Sequence, residues 1–292
     1  MRSLLLISVL SLYLHAQTIL VINSNSDVKK YNEAVEEFGK SVKYPFKTLD
    51  ISNKTTPEIK KYLYDEYPDV VYTVGAKAYQ YANEYIPEKE IYFSSIVDWK
   101  KLPLNANRYG VSNELHSGMQ LILIKSIFNN IKSIGIIHSK YTQNIIDDLT
   151  REAGALGITI HSEKIGEESL KKGEFDPVIK SCDAMMVISD PLFLNNEKTV
   201  EEVFHKSELY KKPVIAYHEL FVQYGATLIL SVDNPTIGRQ IASMMERHSS
   251  DDTIEKIQYP AGTKIIFNKN VANKIGVEFT PDIASTATDI VE

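Results

Sequence analysis

The sequence predicts an α/β protein made of two doubly wound, Rossmann-like lobes with parallel sheets. Three observations carry that reading. Continuous apolar runs, such as TILVIN at Thr18–Asn23 and VVYTV at Val70–Val74, have the character of parallel strands covered on both faces. Stretches with apolar residues at helical spacing lie between such runs, and alternating strand and helix is the order that gives a parallel sheet with helices on both sides. The alternation occurs twice, and 292 residues suffice for two cores, each of about 100–150 residues.

Thr18–Asn23 is followed by the polar loop Ser24–Asp27, which offers an N-cap, and then by Ala34, Val35, Phe38 and Val42 on one helical face. Phe46–Ile51 alternates as a second strand. Thr56-Pro57-Glu58 opens a helix with proline in its first turn, and Ile59, Tyr62 and Leu63 form its inner face. Val70–Val74 runs into Gly75-Ala76 and a helix through Tyr85; Ile91–Ser95 is the fourth strand, and Arg108–Ser112 leads out of this lobe. Leu115–Phe128 is a helix and Ile134–His138 the first strand of the second lobe. The polar loop Ser139–Asn144 precedes a helix to Leu156, and Gly157–Ser162 and Ala184–Ile188 are the next strands. Asn195–Tyr210 is a charged helix, most simply a solvated face. Pro213–Met245 then carries the strands Val214–Tyr217 and Thr227–Val232, the polar pair His218-Glu219, and a helix opened by Asp233-Asn234-Pro235. Lys264–Phe267 is a last strand and Lys269–Ile275 a short helix, and the polar tail beyond Pro281 is expected to fray. The expected division is 17–112 plus 233–262 for lobe one and 113–232 plus 263–292 for lobe two. Three crossovers join them, near Ser112–Leu115, Leu230–Asp233 and Ala261–Lys264.

The N-terminus carries a short positive start, an apolar run at Leu4–Leu14, and Ala16 as a small residue for cleavage. The run falls short of the roughly 20 residues a membrane span needs, so residues 1–16 are expected to be a secretory signal peptide. No cysteine follows the run to anchor a lipid, so the mature chain is expected to be soluble and not lipid-anchored. Cys182 is the only cysteine, which excludes an intrachain disulfide and a thiolate metal site. The formal charge of −6 and pI near 5.7 argue against nucleic acid or anionic lipid as a main partner. No P-loop, G-x-S-x-G or G-x-G-x-x-G motif follows a strand, and no cofactor is implied.

In doubly wound sheets, ligands bind beyond the carboxyl ends of the strands. Those ends here are Ser24–Asp27, Gly75-Ala76, Ser94–Asp98, Ser139–Asn144, Ser189–Pro191 and His218-Glu219, all short and polar.

Four stretches carry a resemblance: YTVGAKAYQYA (Tyr72–Ala82), RYGVSNELHSGMQLILIKSIFNNIKSIGIIHS (Arg108–Ser139), AMMVISD (Ala184–Asp190) and the segment Pro213–Met245, supported by NKNVANKIGVEFTPDI (Asn268–Ile283). In order and spacing the chain resembles solute-binding proteins of ABC transporters with the type I periplasmic-binding fold, in the branch of the tryptophan- and tyrosine-binding proteins. The sequence departs from that pattern at Gln143-Asn144-Ile145, which keeps only the asparagine of a Glu-Asn-Ser loop. It departs again at Asp190-Pro191, where Asp-Asn is usual, and at Trp99, which replaces a proline after Asp98. The resemblance implies an exported, monomeric protein that captures a small solute, of amino-acid or related carboxylate type, between its lobes by hinge closure and delivers it to a membrane permease. A receptor of the same fold that signals to a membrane histidine kinase or cyclase is the alternative, and a periplasmic enzyme lacks a nucleophile–base pair.

The candidate ligand residues are Ser24, Ser26, Gly75, Ala76, Ser95 and Asp98 in lobe one, and Tyr141, Asn144, Asp190 and Glu219 in lobe two. Each has a plainer reading. Ser24 and Ser26 either donate to a ligand or cap the first helix. Gly75-Ala76 presents backbone N–H groups to a carboxylate or only packs tightly. Asp98 binds an ammonium or caps its loop. Tyr141 and Asn144 reach the ligand or sit exposed at a helix start. Asp190 ends an apolar strand, where a carboxylate needs a partner, and Glu219 binds ligand or braces the hinge. His138, His218 and Glu219 lack metal-ligand spacing, so no metal is expected.

Overall fold

The computed structural model describes residues 18–97, 99–168, 173–250 and 253–292. The expected signal segment 1–16 and Asp98 lie outside them. The chain forms two compact units, Met1–Val111 with Gly238–Gln258 and Ser112–Ile237 with Tyr259–Glu292.

The strands are β1 (Ile19–Asn23), β2 (Phe46–Asp50), β3 (Val70–Val74), β4 (Glu90–Ser94), β5 (Arg108–Val111), β6 (Ser133–His138), β7 (Thr159–Lys164), β8 (Ala184–Met186), β9 (Val214–Ala216), β10 (Leu228–Val232), β11 (Ile257–Gln258), β12 (Thr263–Asn268) and β13 (Asp289–Val291). The helices are α1 (Lys29–Ser41), α2 (Thr56–Glu66), α3 (Ala76–Tyr85), α4 (Ser117–Ile127), α5 (Gln143–Ala155), α6 (Asp176–Ser181), α7 (Pro191–Leu194), α8 (Glu197–Leu209), α9 (Asn234–Ser249), α10 (Lys269–Ile275) and α11 (Pro281–Thr286).

The first unit holds a sheet in the order β11-β5-β4-β3-β1-β2, parallel throughout. Its central strands β1 and β3 are buried along their whole length, as their unbroken apolar sequences require. Leu20, Ile22, Val71, Ile91 and Phe93 pack with Ile59, Leu63, Ala78, Tyr79 and Ala82 of α2 and α3. On α1, Phe38 lies against Tyr72 of β3 at 4.8 Å between ring centroids. Helix α2 starts in a capping box: Thr55 N donates to Glu58, and the Thr55 side chain accepts from the N3 backbone.

The second unit holds the order β13-β12-β10-β9-β8-β6-β7. Alternate residues feed opposite cores. Ala184 and Met186 face α4 and α5 with Leu121, Ile124 and Leu149, while Met185 faces α6 and α8 with Ile179, Val203 and Phe204. Strand β12 runs antiparallel to β10, an exception that the chain's alternation did not signal.

Three differences from the sequence expectation have physical causes. The tail beyond Pro281 is built rather than frayed. Thr280 caps α11, Ile283 is buried in the core beneath it, and β13 pairs with β12 through Thr288 N to Ile265 O at 2.8 Å. The six-residue helix α6 and the two-residue strand β11 were not read, because both are too short to show a period. The second passage between units falls at Ile237/Gly238, inside α9, rather than at the end of the preceding strand.

Gly238 has a packing role that the sequence only hinted at. A Cβ there would meet Ala34 O at 2.1 Å and Phe38 N at 2.8 Å, so α9 lies directly on the backbone of α1. Backbone cannot yield as a flexible side chain does. Gly238→Ala is therefore expected to lose at least about 2–3 kcal/mol, read as a fall in the urea midpoint; an unchanged midpoint would remove this contact from the account.

Candidate functional site

In the first unit, the carboxyl ends of β1, β3 and β4 are tied together. Ser24 N donates to Val74 O, and Gly75 N donates to Ser94 O, each at 3.0 Å. The Ser24 hydroxyl accepts from Ala78 N at 3.0 Å, which occupies a first-turn donor of α3. Ser24 is thus a cap, but of α3 and not of α1. The N-cap of α1 is Val28, which makes no side-chain cap bond. Ser26 does not cap α1 either: its backbone N–H and hydroxyl both donate to Asp50 at the end of β2.

Gly75 is the N-cap of α3 at φ 87, a left-handed backbone that favours glycine. A Cβ there would meet Ser24 Oγ at 2.7 Å and Tyr31 Cε2 at 3.1 Å. Ala76 is exposed at the first position of the helix. Val74 and Ser94 are register partners, so Ser95 leaves the sheet beside Gly75. Ser95 is 3% exposed and has φ +60. Its hydroxyl is buried with no hydrogen-bond partner. A buried unpaired hydroxyl costs about 1–3 kcal/mol, and a non-glycine residue in the left-handed region adds strain. Both costs fall on this one residue.

Tyr31 and Lys77 belong to this corner and were not singled out from the sequence. Tyr31 packs over Gly75 from α1, and burial raises its phenol. Lys77 follows Ala76 and donates to Ile51 O at 3.2 Å. Both stand one short step beyond a strand-end loop, so wider windows around those loops would have included them.

In the second unit, Asp190 is fully buried and accepts five hydrogen bonds. Oδ2 takes Ser139 N at 2.7 Å, Ser139 Oγ at 2.8 Å and Thr142 Oγ1; Oδ1 takes Leu192 N and Phe193 N, each at 3.0 Å. The partner a carboxylate needs is supplied internally, and the residue caps α7 while holding the loop after β6. Tyr141 stands on that loop, 55% exposed, with Lys140 Nζ 5.2 Å from its ring centroid. Asn144 is exposed in the first turn of α5. Glu219 pairs with Lys264 at 3.2 Å, and Asp289 lies 3.5 Å from the same ammonium. Lys264 comes to this end because β12 is antiparallel, which an apolar run does not reveal.

Electrostatics follow the hydrogen bonds. Burial would raise Asp50, but Ser26 and Ser52 outweigh it and hold the carboxyl at about 2. Burial likewise opposes ionisation of Asp190, and Thr142, Phe193 and Ser139 win, so it stays below the usual carboxylate range. Among the described residues no group of three His, Cys, Asp or Glu is placed to hold a metal ion.

A pocket at the amino ends of β1, β3 and β4 is lined by Ile19, Val70, Glu90, Tyr92, Met245, His248 and Ser249. His248 Nδ1 lies 2.8 Å from Tyr92 OH, and Nε2 lies 3.3 Å from Tyr109 OH. These contacts fasten the end of α9 to the sheet, at the opposite pole from the strand ends described above.

A family model for ABC transporter substrate binding proteins matches residues 29–291. The chain is similar in structure to a ligand-free, open substrate-binding protein with adhesive properties from Clostridium difficile, at 15% identity, 94% coverage of this chain, 99% of that one and a TM-score of 0.75. An ABC domain in complex with L-Trp from Streptococcus pneumonia gives 18% identity, coverage of 94% and 99%, and a TM-score of 0.59. A glucose-galactose binding protein from Geobacillus stearothermophilus gives 12% identity, coverage of 86% and 97%, and a TM-score of 0.53. At such identities the likeness speaks for the fold, that of type I periplasmic-binding proteins. No curated protein sequence matches the chain.

Asp190→Ala leaves five donors, on Ser139, Thr142, Leu192 and Phe193, without this acceptor and is expected to destabilise the protein by about 3 kcal/mol, measured by urea denaturation. A loss below about 0.5 kcal/mol would show that these bonds do not hold the fold. Asp50, with its folded pKa depressed, stabilises the fold fully above the unfolded carboxylate value of about 4, and this contribution fades as pH falls toward about 2. Thermal melts of Asp50→Asn should therefore lie below the parent at neutral pH and converge with it in acid.

Proposed function

This chain belongs to the ABC transporter substrate-binding protein family, and we propose that it acts as the exported, monomeric solute receptor of such a transporter. In this reading residues 1–16 are a cleaved signal peptide, and the mature protein works in the periplasm beside a membrane permease. The solute is a small carboxylate-bearing molecule of amino-acid or related type. The candidate ligand groups are Ser24, Ser26, Gly75, Ala76 and Ser95 of the first unit and Tyr141, Asn144, Asp190 and Glu219 of the second. Asp98 keeps the role the sequence suggests for it. The family assignment and the absence of a paired nucleophile and base in the sequence favour binding over turnover.

One observation carries the choice of position. Ser95 places a buried, unpartnered hydroxyl beside the N-cap of α3. A helix N-terminus offers N–H donors and a positive partial charge, and a carboxylate accepts from both the amides and the hydroxyl. A ligand oxygen would supply the partner that Ser95 lacks. Binding then stabilises the protein by linkage, by about 2.7 kcal/mol at a hundredfold excess over Kd.

The test is a thermal-shift screen of the mature protein, stripped of carried-over solute, against amino acids, small carboxylates, purines and sugars. A concentration-dependent rise in Tm with a carboxylate-bearing compound supports the reading, and a rise with sugars alone refutes the ligand class. Ser95→Ala sharpens the test. It removes an unpaired buried hydroxyl, so Tm without ligand should hold steady or rise, while affinity for the hit falls about tenfold. Unaltered affinity would take Ser95 out of the site.

A further inference from the structure

Among the described residues of the first unit, two buried side-chain polar atoms have no hydrogen-bond partner, Ser95 Oγ and Trp99 Nε1. Both stand on the segment that leads from β4 to β5. That segment is fixed on either side of the tryptophan. Ile96 is buried in the core of the first unit. Trp99 opens a single helical turn, Trp99–Lys101, and Leu102 N donates to Trp99 O at 2.9 Å. Tyr79 of α3 then donates to Pro103 O at 2.7 Å, with its own ring edge-on to Phe93 of β4. Trp99 and Leu102 both pack against the same core. The indole thus stands on a turn pinned at both flanks, the rigid placement that a binding group needs.

The two unpartnered atoms make different demands. A hydroxyl turns to donate or to accept, whereas an indole N–H only donates. A buried tryptophan normally finds an acceptor for that hydrogen. The packing of Trp99 uses the carbon surface of its ring, which phenylalanine would supply without an N–H to satisfy.

We infer that Trp99 is a specificity-determining residue of the solute site, with its indole N–H donating to an oxygen of the bound solute. This rests on the solute-binding reading and deepens it. The segment lies at the end of the strands where doubly wound sheets bind ligands, and Ser95, on the same segment and 3% exposed, is the independent sign that a polar ligand atom belongs there. Asp98 comes between the two in sequence. Its proposed role is to take the solute's ammonium, and a donor next to it does not compete. An amino acid carries both an ammonium for a carboxylate and oxygens for an N–H. The solutes rejected are amines without an oxygen acceptor. They leave the indole hydrogen buried and unmet, and a site built to hydrogen-bond a polar group discriminates strongly against a compound that lacks it.

Trp99 is the only tryptophan, so a nitrogen–proton correlation spectrum of the isotope-labelled mature protein shows one indole cross-peak. The protein is stripped of carried-over solute and titrated with unlabelled L-tyrosine, L-tryptophan, L-leucine, L-alanine, succinate and glucose. Tyramine and tryptamine, which keep ring and ammonium but lack the carboxylate, complete the panel. Isothermal titration identifies the compounds that bind. A bound compound is expected to move the indole proton downfield, as hydrogen bonding does, and to bind Trp99→Phe about tenfold more weakly. An indole peak that stays in place at saturation overturns the inference and leaves the solute-binding reading standing. So does an unchanged affinity of a folded Trp99→Phe, or a decarboxylated amine that binds as tightly as its parent amino acid. If Trp99→Phe does not fold, the indole proton of the unaltered protein decides alone. Glucose binding with the same downfield shift supports the inference while refuting the carboxylate class. A blank across all probes overturns the inference together with that class.

Discussion

In each unit the carboxyl ends of the central strands are held by a single side chain that caps backbone belonging to a different segment. In the first unit that side chain is Ser24, whose hydroxyl accepts from Ala78 N on α3. In the second it is Asp190, which takes donors from the loop after β6 and from the start of α7. A parallel sheet leaves polar groups at the ends of its strands, and free loops there would sample many conformations. Cross-segment capping removes that freedom before any ligand arrives. Preorganisation of this kind lowers the entropic cost of binding.

The two caps differ in what they leave over. Asp190 satisfies itself completely, so its loops are rigid and its charge is spent inside the fold. Ser24 takes one amide of α3 and leaves the first two at the head of the helix. Its neighbour Ser95 is left with a buried hydroxyl and a left-handed backbone. Unmet hydrogen bonding in the first unit thus falls at Ser95 and at Trp99 Nε1, both just past β4.

Strands and helices of ordinary length were legible in the sequence because their apolar periods are long enough to read. β3 was bounded as the structure has it, and most other elements differ by one or two residues at their ends. Antiparallel β12 was not legible as such, since direction leaves no mark on an apolar run, and with it went Lys264 as a neighbour of Glu219. The tail from Pro281 was misread because its polarity hides one well-placed core residue, Ile283. The strand-end rule singled out Ser24, Gly75 and Ser95 as candidates. What no sequence rule supplied was the hydrogen-bond accounting. Ser24, Ser26 and Asp190 are alike in being polar residues after apolar strands, and only their partners show that two of them are spent on other loops and one on a neighbouring helix.

The same accounting explains why charge is more informative here than composition. A net charge of −6 taken alone points away from anionic ligands. Net charge, however, governs long-range behaviour, which is screened within about 8–10 Å at physiological salt. A site is governed by groups in contact with it, and their local sum depends on which charges are already neutralised. The acids of this chain are concentrated in helix-surface ion pairs and internal caps, where they cancel or are consumed. Several ammonium groups meet neutral oxygens or rings instead, Lys77, Lys125 and Lys256 with carbonyls and Lys89 with a ring among them. An acidic protein can thus present a locally basic binding surface, and the partner of each charge decides which surface that is.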